Sequence, residues 1–405
     1  MIGEKSKQVW ALIDCDCFFV SCEVLRNPKL KNKKVCVGKD IVIAKSYEAK
    51  HFGVKTGTPI REAKPMLNNE GIFISPDHNF YNKVSKNLQN FLKNFFPKVE
   101  VFSNDEAFVD ITNSLNIFGA KSYYELAKKI QLQIYKQIGI PVSIGVAPTR
   151  ILAKTFSPIN KPYGVTVGID ENKINKILKK TPIKDIPFIG KSSQEKIDFL
   201  KNVFEFKQVN FSTIKKNLQG GGTKIWFEIN SVNAISFENN KQAKSIRRTY
   251  SFNPHFSSNK QEVYSHLCIN IEKAFSQIIE KDLYTKQISI ILKDKFFQKY
   301  KTTKILNSKT NDKTFIYKTA KNLFDEIFKE NIPYRSTGIY LEKLENSNQQ
   351  PLSIFENNNN DNLWKKINNI NKKFGDQKLT SASALSKSTT PKDKDFILYL
   401  GEVKA

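Results

Sequence analysis

Short apolar runs alternate with amphipathic segments along the first 170 residues, and this order constrains the fold more than any other feature of the chain. Apolar runs predict strands, and apolar residues at steps of three and four predict helices. The predicted elements are a strand at 9–13, a helix at 79–96, strands at 99–102 and 107–111, a helix at 123–138, a strand at 142–146 and a helix from 150. The order β-α-β-β-α-β predicts a ferredoxin-like sheet.

The rest of the chain predicts smaller units around that sheet. Residues 25–75 hold two short apolar runs and a short helix that ends before Gly53, residues 171–238 are helical and basic, and Gly220, Gly221 and Gly222 are predicted to form a loop. Two strands, a helix, two strands, a helix and a strand are predicted over 245–344, followed by a polar tail from 346. We therefore expect a multidomain α+β protein.

Charge narrows the choice of partner. The chain carries 65 Lys and Arg against 39 Asp and Glu, a formal net charge of +26, and the basic residues are spread over every segment. Such a charge is typical of a folded protein that binds a polyanion, and we favour nucleic acid over an anionic membrane surface as that partner. No apolar stretch has the length of a membrane span, and no CxxC pair is present, so we expect a cytoplasmic protein with reduced cysteines.

Three carboxylates stand where predicted strands end or turn: Asp14, Asp105 and Glu106. In the predicted sheet the first strand and the hairpin are neighbours, so these side chains can converge. Hard oxygen ligands without nearby His or Cys suit Mg²⁺ and phosphoryl or nucleotidyl transfer. The alternative is that Asp105 and Glu106 form a solvated turn and that Asp14 caps a helix. We interpret Asp16 and Asp110 as structural acids, because Asp16 alternates away from Asp14.

Several motifs resemble those of the Y-family translesion DNA polymerases, and their order and spacing fit that family. They occupy residues 13–23, 44–57, 103–108, 143–147, 152–154 and 161–164. Within the family the chain is most similar to the bacterial catalytic subunits of DNA polymerase V, a branch related to DNA polymerase IV, because of residues 21–23, Lys50 and the long tail.

The resemblance implies a right-hand polymerase. Its expected parts are a ferredoxin-like palm (1–24 and 76–170), small fingers (25–75), a helical thumb with a helix-hairpin-helix turn (171–238), a separate α+β little finger (239–345) and a C-terminal tail (346–405). It also implies template-directed addition of dNTPs to a primer 3′ end, in error-prone translesion synthesis during the SOS response to DNA damage. No segment is left over for a proofreading exonuclease.

The resemblance assigns the site residues. It implies that two Mg²⁺ ions are held by the carboxylates and a backbone carbonyl, at Asp14, Cys15, Asp105 and Glu106. The residues that it places around the incoming nucleotide are Phe18, Phe19, Tyr47, Lys50 and Lys161. Phe19 matches the steric gate against a ribose 2′ hydroxyl, with a core phenylalanine as the alternative. Lys50 stands where the DNA polymerase IV branch has arginine, so a bidentate grip is replaced by a monodentate one.

The remaining implied contacts are with DNA and with proteins. The expected DNA contacts are Ile189, Gly190 and Lys191 in the thumb turn, and Lys244, Arg247 and Arg248 at the start of the little finger. A sliding-clamp peptide is expected in the tail, with Gln350, Leu352, Ile354 and Phe355 as its contacts. A DNA polymerase V-type accessory dimer and a recombinase filament are further implied partners.

Two other functions fit parts of the pattern. A non-catalytic nucleic-acid-binding protein would keep the scaffold and the charge, but intact Asp14, Asp105 and Glu106 disfavour it. A nucleotide cyclase on the same sheet would act without a template, and the thumb turn and the charge on every segment disfavour that.

Overall fold

A computed structural model describes residues 4–236, 243–252, 255–346, 361–374, 378–384 and 398–400. The chain divides into two compact units, Met1–Asn240 and Lys241–Ala405. No helix within these described stretches has the length and apolar composition that a membrane crossing requires.

The first unit is a mixed α+β structure. In chain order its strands and helices are β1 (Trp10–Cys15), α1 (Phe18–Arg26), β2 (Val35–Gly38), β3 (Val42–Lys45), α2 (Tyr47–His51), α3 (Ile60–Met66), β4 (Ile72–Ile74), α4 (His78–Phe95), β5 (Val99–Val101), β6 (Glu106–Asp110), α5 (Ser114–Ile117), α6 (Tyr123–Ile138), β7 (Val142–Ala147), α7 (Arg150–Phe156), β8 (Val165–Val167), α8 (Glu171–Lys180), α9 (Lys191–Gln194), α10 (Val203–Gln208) and α11 (Phe211–Ile229).

A five-stranded central sheet organises this unit, with the order β5-β6-β1-β7-β8. β1 pairs antiparallel with both β6 and β7, and β8 adds a parallel edge strand beside β7. The four strands β5, β6, β1 and β7 have the order and direction of a ferredoxin-like sheet, which confirms that prediction. Successive side chains of β1 face opposite sides of the sheet and pack in two different cores. Ala11 and Ile13 pack with α4 and α6, while Trp10 and Leu12 pack with α7 and the helices that follow it.

The small lobe between β1 and α4 is built on a three-stranded sheet of order β3-β2-β4. Its own core joins Cys36 and Val42 to Ala49 and Leu67 from the helices. Ser46 caps α2 because its Oγ accepts the Ala49 N–H at 3.1 Å. The loop between β3 and α2 is thereby fixed, and with it the start of the helix that carries Tyr47 and Lys50.

Residues 171–236 are helical, but the glycine triplet does not form the predicted loop. Gly220, Gly221 and Gly222 lie inside α11, where the helix is interrupted only at Gln219, with φ 51° and ψ −154°. The helix resumes because Ile225, Trp226 and Ile229 bury their side chains in the core shared with α7. Tertiary burial therefore outweighs the low helix propensity of three glycines.

The second unit is an antiparallel sheet with helices packed on one face. Its elements are β9 (Ser245–Ser251), α12 (Lys260–Glu280), β10 (Leu283–Asp294), β11 (Lys299–Thr310), α13 (Lys313–Ile327), β12 (Tyr334–Asn346), α14 (Asp361–Phe374), β13 (Leu379–Ser381) and β14 (Leu398–Leu400). The four long strands have the order β11-β10-β12-β9. One strand, β9, precedes α12 in the part that the structure describes, where the sequence predicted two.

Part of the polar tail is folded onto this unit. Trp364 of α14 packs edge-on against Phe275 of α12, with ring centroids 5.8 Å apart, and Lys313 Nζ lies 4.4 Å from the Trp364 ring centroid. β13 follows, where the Ser381 hydroxyl donates to Glu272 Oε1 at 2.5 Å. The elements α14 and β13 therefore pack against α12.

Candidate active site

The three predicted carboxylates lie at one end of the central sheet. Asp14, near the end of β1, is the direct register partner of Glu106, the first residue of β6. Asp105 precedes that strand, and its backbone carbonyl accepts the Cys15 N–H at 2.9 Å. The antiparallel pairing of β1 with β6 thus brings together residues that are far apart in sequence.

Two lysines neutralise this end of the sheet. Lys161 Nζ lies 2.6 Å from Asp14 Oδ1, and Lys154 Nζ donates to both Glu106 carboxylate oxygens, at 2.6 and 2.7 Å. The third acid, Asp105, accepts the Ser103 hydroxyl at 2.6 Å. Sequence reasoning found Lys161 through its motif. Lys154 lies in the motif at 152–154, but the sequence assigned it no role, because its pairing with Glu106 follows from the packing of α7 against the sheet.

Burial and charge act against each other at Asp14. Burial is the largest cause and raises the pKa of Asp14 to about 6, although the nearby Lys161 ammonium opposes that rise. Burial lowers the pKa of Lys161, but attraction to Asp14, Asp16 and Glu106 outweighs it, so that the pKa of Lys161 is raised. The Asp14 carboxylate is therefore poorly solvated and disposed to accept a stronger cation.

The carboxylates lie at the same end of the sheet, but they do not form a metal-coordination site. Within the described residues, no three His, Cys, Asp or Glu side chains are grouped so that they could hold a metal ion. Asp14 and Glu106 turn to their lysines instead. The donor set at this edge is nevertheless one of hard oxygens, because burial, followed by Asp105 and Asp14, raises the pKa of the Cys15 thiol and keeps it protonated.

A cavity of about 640 Å³ opens beside Asp14. Its walls include Asp14, Cys15, Phe18, Phe19, Asp105 and Lys161 from the predicted set, together with Lys45 and Thr56 from the small lobe. Lys45 donates to the Thr56 hydroxyl at 3.0 Å, which fixes its ammonium on the cavity wall. The volume suits a ligand of nucleotide size, and the walls carry both carboxylates and ammonium groups.

Phe19 is held firmly on the cavity wall. Its ring stacks on Tyr81 with centroids 4.6 Å apart and meets His78 edge-on at 5.8 Å. Tyr81 is itself fixed, since its hydroxyl donates to the buried Glu23 carboxylate at 2.6 Å. Phe18 is buried beside it. The sequence did not single out Tyr81, and it gave Glu23 only as part of the motif at 21–23, without a role.

Tyr47 and Lys50 of α2 face different surroundings. The Tyr47 hydroxyl donates to Asp16 Oδ1 at 3.2 Å, whereas Lys50 is exposed and its Nζ lies 5.8 Å from the Tyr47 ring centroid. Burial, followed by the Asp16 charge, raises the pKa of Tyr47, so the phenol remains a donor. Asp16 is buried and accepts several hydrogen bonds, and the alternation of residues along the strand did not predict these partners.

The predicted DNA contacts divide by exposure. Ile189 is buried, and Gly190 and Lys191 are exposed at the start of α9, a helix of one turn. Open space surrounds Gly190 where a Cβ would lie. The turn is therefore formed and accessible, with Ile189 as its anchor.

In the second unit, Arg247 and Arg248 lie on opposite faces of β9. Arg247 pairs with Glu342 at 2.7 Å and lies 4.9 Å from the Tyr340 ring centroid on the open face. Arg248 lines a groove with Phe275, Lys313 and Trp364 on the helix side. Lys244 is exposed just before the strand. The structure thus does not bring the two arginines together.

Comparisons with known proteins agree with this geometry. The chain matches the impB/mucB/samB family over residues 13–158 and the impB/mucB/samB family C-terminal domain over residues 243–354. It is 27% identical over 349 residues to a DNA polymerase IV of Fusobacterium nucleatum, covering 85% of this chain and 97% of that one. It is also 27% identical over 410 residues to a DNA polymerase IV of Oceanobacillus iheyensis, covering 95% of each.

Solved structures show the same fold. A Y-family DNA polymerase chimera of Dbh and Dpo4 superposes with a TM-score of 0.71 at 25% identity, over 84% of this chain and all of that one. An insertion ternary complex of Dbh DNA polymerase gives a TM-score of 0.55 at 24% identity over the same shares. The two family matches together span more than half of the chain, and they include Asp14, Asp105, Glu106 and residues 243–354 of the second unit. The chain therefore belongs to the impB/mucB/samB family of Y-family DNA polymerases.

Proposed function

We propose that this chain extends a primer 3′ end with dNTPs under the direction of a template, in error-prone translesion synthesis without proofreading. One observation carries the proposal: Asp14, the register partner of Glu106, lines a cavity of about 640 Å³ whose walls also include Asp105, Phe19 and Lys161. Acid, cation and aromatic ring are the groups that nucleotidyl transfer needs around a dNTP. The parts are the palm (1–24 and 76–170), fingers (25–75), thumb (171–238) and little finger (239–345).

The metal cofactor that we propose is Mg²⁺, as two ions. The oxygen donors that would hold them are Asp14, Asp105, Glu106 and the backbone carbonyl of Cys15, and a set without imidazole or thiolate suits Mg²⁺. When bound, the ions supply Lewis-acid activation of the primer hydroxyl and charge neutralisation at the phosphates. Lys161 and Lys154 must release Asp14 and Glu106 for this, which leaves Lys161 available to the triphosphate.

The protein groups then bind and orient the nucleotide. Lys161, Lys50 and the Tyr47 hydroxyl are the proposed contacts of the triphosphate. Lys161 lines the cavity, and the two lysines would supply positive charge. Phe19 is proposed as the steric gate, since its stacking on Tyr81 prevents it from turning away from a ribose 2′ hydroxyl. Phe18 packs behind it. Rigid placement of the ring is what discrimination by shape requires.

DNA binding is proposed to use exposed basic groups in both units. In the thumb, the turn at Gly190 and Lys191 presents backbone N–H groups that suit a phosphate. In the little finger, Lys244 and Arg247 are the proposed contacts for DNA across the open sheet face. Arg248 faces the helices, so DNA on that face would not meet it.

Several finer assignments stay predictions. The DNA polymerase V branch is carried by residues 21–23 and by Lys50, whereas the relatives reported above are named DNA polymerase IV. The clamp peptide with Gln350, Leu352, Ile354 and Phe355 lies outside the residues that the structure describes. A sliding clamp, an accessory dimer and a recombinase filament remain predicted partners, and association with the nucleoid follows from a DNA substrate.

Primer extension tests the proposal. Wild type and Asp105→Ala are compared on a primed template with Mg²⁺ and dNTPs, at protein concentrations that give equal DNA binding. Asp110→Asn is the matched control, because Asp110 lies at the opposite end of β6, the strand that Asp105 precedes, and accepts a hydrogen bond from Thr112. We expect addition by the wild type and the control, and none by Asp105→Ala. DNA binding without addition by any of the three would support the non-catalytic alternative.

A further inference from the structure

Asp16 is a buried carboxylate that the proposed chemistry leaves without a role. It follows β1 directly, is 2% exposed, and makes hydrogen bonds through both of its oxygens. Oδ1 accepts from the Tyr47 hydroxyl at 3.2 Å and from Ser143 Oγ at 2.9 Å. Oδ2 accepts from the Tyr163 N–H at 2.8 Å and from Ser143 Oγ at 3.0 Å. A buried charge needs such partners, and these fix the carboxylate in one orientation.

The partners of Asp16 come from separate parts of the chain. Tyr47 belongs to the small lobe, Ser143 lies on β7 of the central sheet, and Tyr163 lies in the turn after Lys161. The side chain therefore ties the small lobe to the sheet. Its backbone is held as well, because the Asp16 N–H donates to the Pro141 carbonyl at 2.9 Å and its carbonyl accepts the Ser21 hydroxyl at 2.5 Å.

The turn that carries Lys161 depends on this carboxylate. Tyr163 has φ 52°, a left-handed conformation that side chains other than glycine adopt at a cost, and its N–H donates to Asp16. The next N–H, that of Gly164, donates to Ser143 Oγ at 3.2 Å, so the same pair anchors both residues. Lys161 Nζ itself lies 3.7 Å from Asp16 Oδ1 and 2.6 Å from Asp14.

We propose that Asp16 is a positioning residue for the incoming nucleotide, which holds the Tyr47 hydroxyl and the Lys161 turn where they meet the triphosphate. The inference rests on the proposed function, since it assigns the ligand of both groups as a dNTP. Asp16 does not touch the nucleotide in this role. It acts through two groups on two lobes, and its loss misplaces both of them while Asp14, Asp105 and Glu106 remain in place.

The test separates nucleotide binding from chemistry. The dNTP Kd is measured by calorimetry on the complex with a dideoxy-terminated primer-template, and the rate of addition is measured in single-turnover extension of a normal primer. We expect Asp16→Ala to raise the dNTP Kd about tenfold, as the loss of a positioning hydrogen bond does, and to change the single-turnover rate less than about threefold. We expect Asp16→Asn to restore most of the affinity, because its amide can accept the Tyr163 N–H and bond the hydroxyls.

A double-mutant cycle with Tyr47→Phe tests the connection. Both changes remove the same hydrogen bond, so the double variant is expected to raise the dNTP Kd by much less than the product of the two single effects. Effects that multiply would overturn the role through Tyr47, and a Kd unchanged in Asp16→Ala would overturn the proposal. If Asp16→Ala fails to fold, Ser143→Ala replaces it, with a rise in Kd of about threefold expected and an unchanged Kd as the refuting result.

The outcomes also separate this inference from the proposed function. A wild type that binds dNTP but adds none would refute the polymerase proposal, and the Kd series would still decide the role of Asp16. A wild type that extends primers with a Kd equal to that of Asp16→Ala would refute only the role of Asp16. A wild type that neither binds nor extends would overturn both. Asp110→Asn serves again as the control and should match the wild type in Kd and rate.

Discussion

Asp14→Asn is expected to stabilise the first unit while it abolishes nucleotide addition. Asp14 is 13% exposed, and burial raises its pKa from 3.8 to about 6 against the opposing effect of Lys161. A carboxyl group with a higher pKa in the folded than in the unfolded chain binds more protons when folded, so stability is lost as the pH rises from the unfolded to the folded pKa. The difference of about two pKa units corresponds to about 3 kcal/mol at pH 7.

Asparagine carries no charge that burial could penalise, so the variant should escape this loss. The gain should be near zero at pH 4, grow through pH 6 and level off above pH 7. For a unit of this size, about 3 kcal/mol corresponds to a rise in Tm of about 6 to 12 °C. Activity and stability then change in opposite directions, as expected where function requires a poorly solvated charge.

Tryptophan fluorescence can follow the first unit alone. The chain has three tryptophans, of which Trp10 and Trp226 lie in the first unit and Trp364 in the second. In a Trp364→Phe background, thermal unfolding of the metal-free protein is therefore recorded from the first unit at pH 4, 6 and 7.5, with and without the Asp14→Asn substitution. The control is Asp110→Asn, the same change of carboxylate to amide at the other end of β6. A lower Tm for Asp14→Asn at pH 7.5, or an equal gain at every pH, would refute the reasoning.

Three further predictions follow from particular contacts. Arg150→Met should destabilise the first unit by about 3 to 5 kcal/mol in urea unfolding, because it removes the guanidinium that donates hydrogen bonds of 2.5 and 2.7 Å to the buried Glu100. Adding Glu100→Leu should recover most of the lost stability. Arg247→Ala should weaken DNA binding and reduce the slope of log K against log salt concentration by about 1, whereas Arg248→Ala should leave the slope unchanged. Equal slopes for the two variants would contradict the placement of these arginines on opposite faces of the sheet. Phe19→Ala should raise ribonucleotide incorporation at least about tenfold in single-nucleotide extension, and unchanged discrimination would exclude Phe19 as the gate.

Much of the central sheet could be predicted from the sequence, because its signals are local. The apolar stripe from 123 to 138 predicted α6 with the bounds that the structure gives it, and the stripe over 79–96 predicted α4 to within one residue at each end. The order of strands and helices then left few arrangements, since connections in such sheets are short and do not cross. The register of Asp14 with Glu106 follows from that order and from the position of each acid at a strand end.

The parts that were predicted wrongly or incompletely depend on contacts between distant residues. The glycine triplet predicted a loop, but burial of Trp226 and its neighbours keeps α11 helical on both sides of Gln219. Arg247 and Arg248 stay predicted DNA contacts, but the side of the sheet that each faces is shown only by its neighbours, Glu342 for Arg247 and Trp364 for Arg248. Alternation along the strand led to the interpretation of Asp16 as a structural acid, but it did not predict the partners Tyr47, Ser143 and Tyr163, which are 31 to 147 positions away. Local pattern carries no information about such contacts.

The lysines explain how a sheet edge with three acids can fold without a cation. Asp14 and Glu106 are direct register partners, and like charges at that spacing repel each other. Lys161 and Lys154 come from one short stretch, α7 and the turn that follows it, and each neutralises one of the two acids. The same stretch packs on the sheet through Ile151, Leu152 and Phe156, so the counter-charges are placed by apolar burial rather than by attraction alone. A divalent cation held by these carboxylates would compete with lysines whose backbone is fixed by that packing, and Lys161, once displaced, would remain as positive charge at the cavity wall.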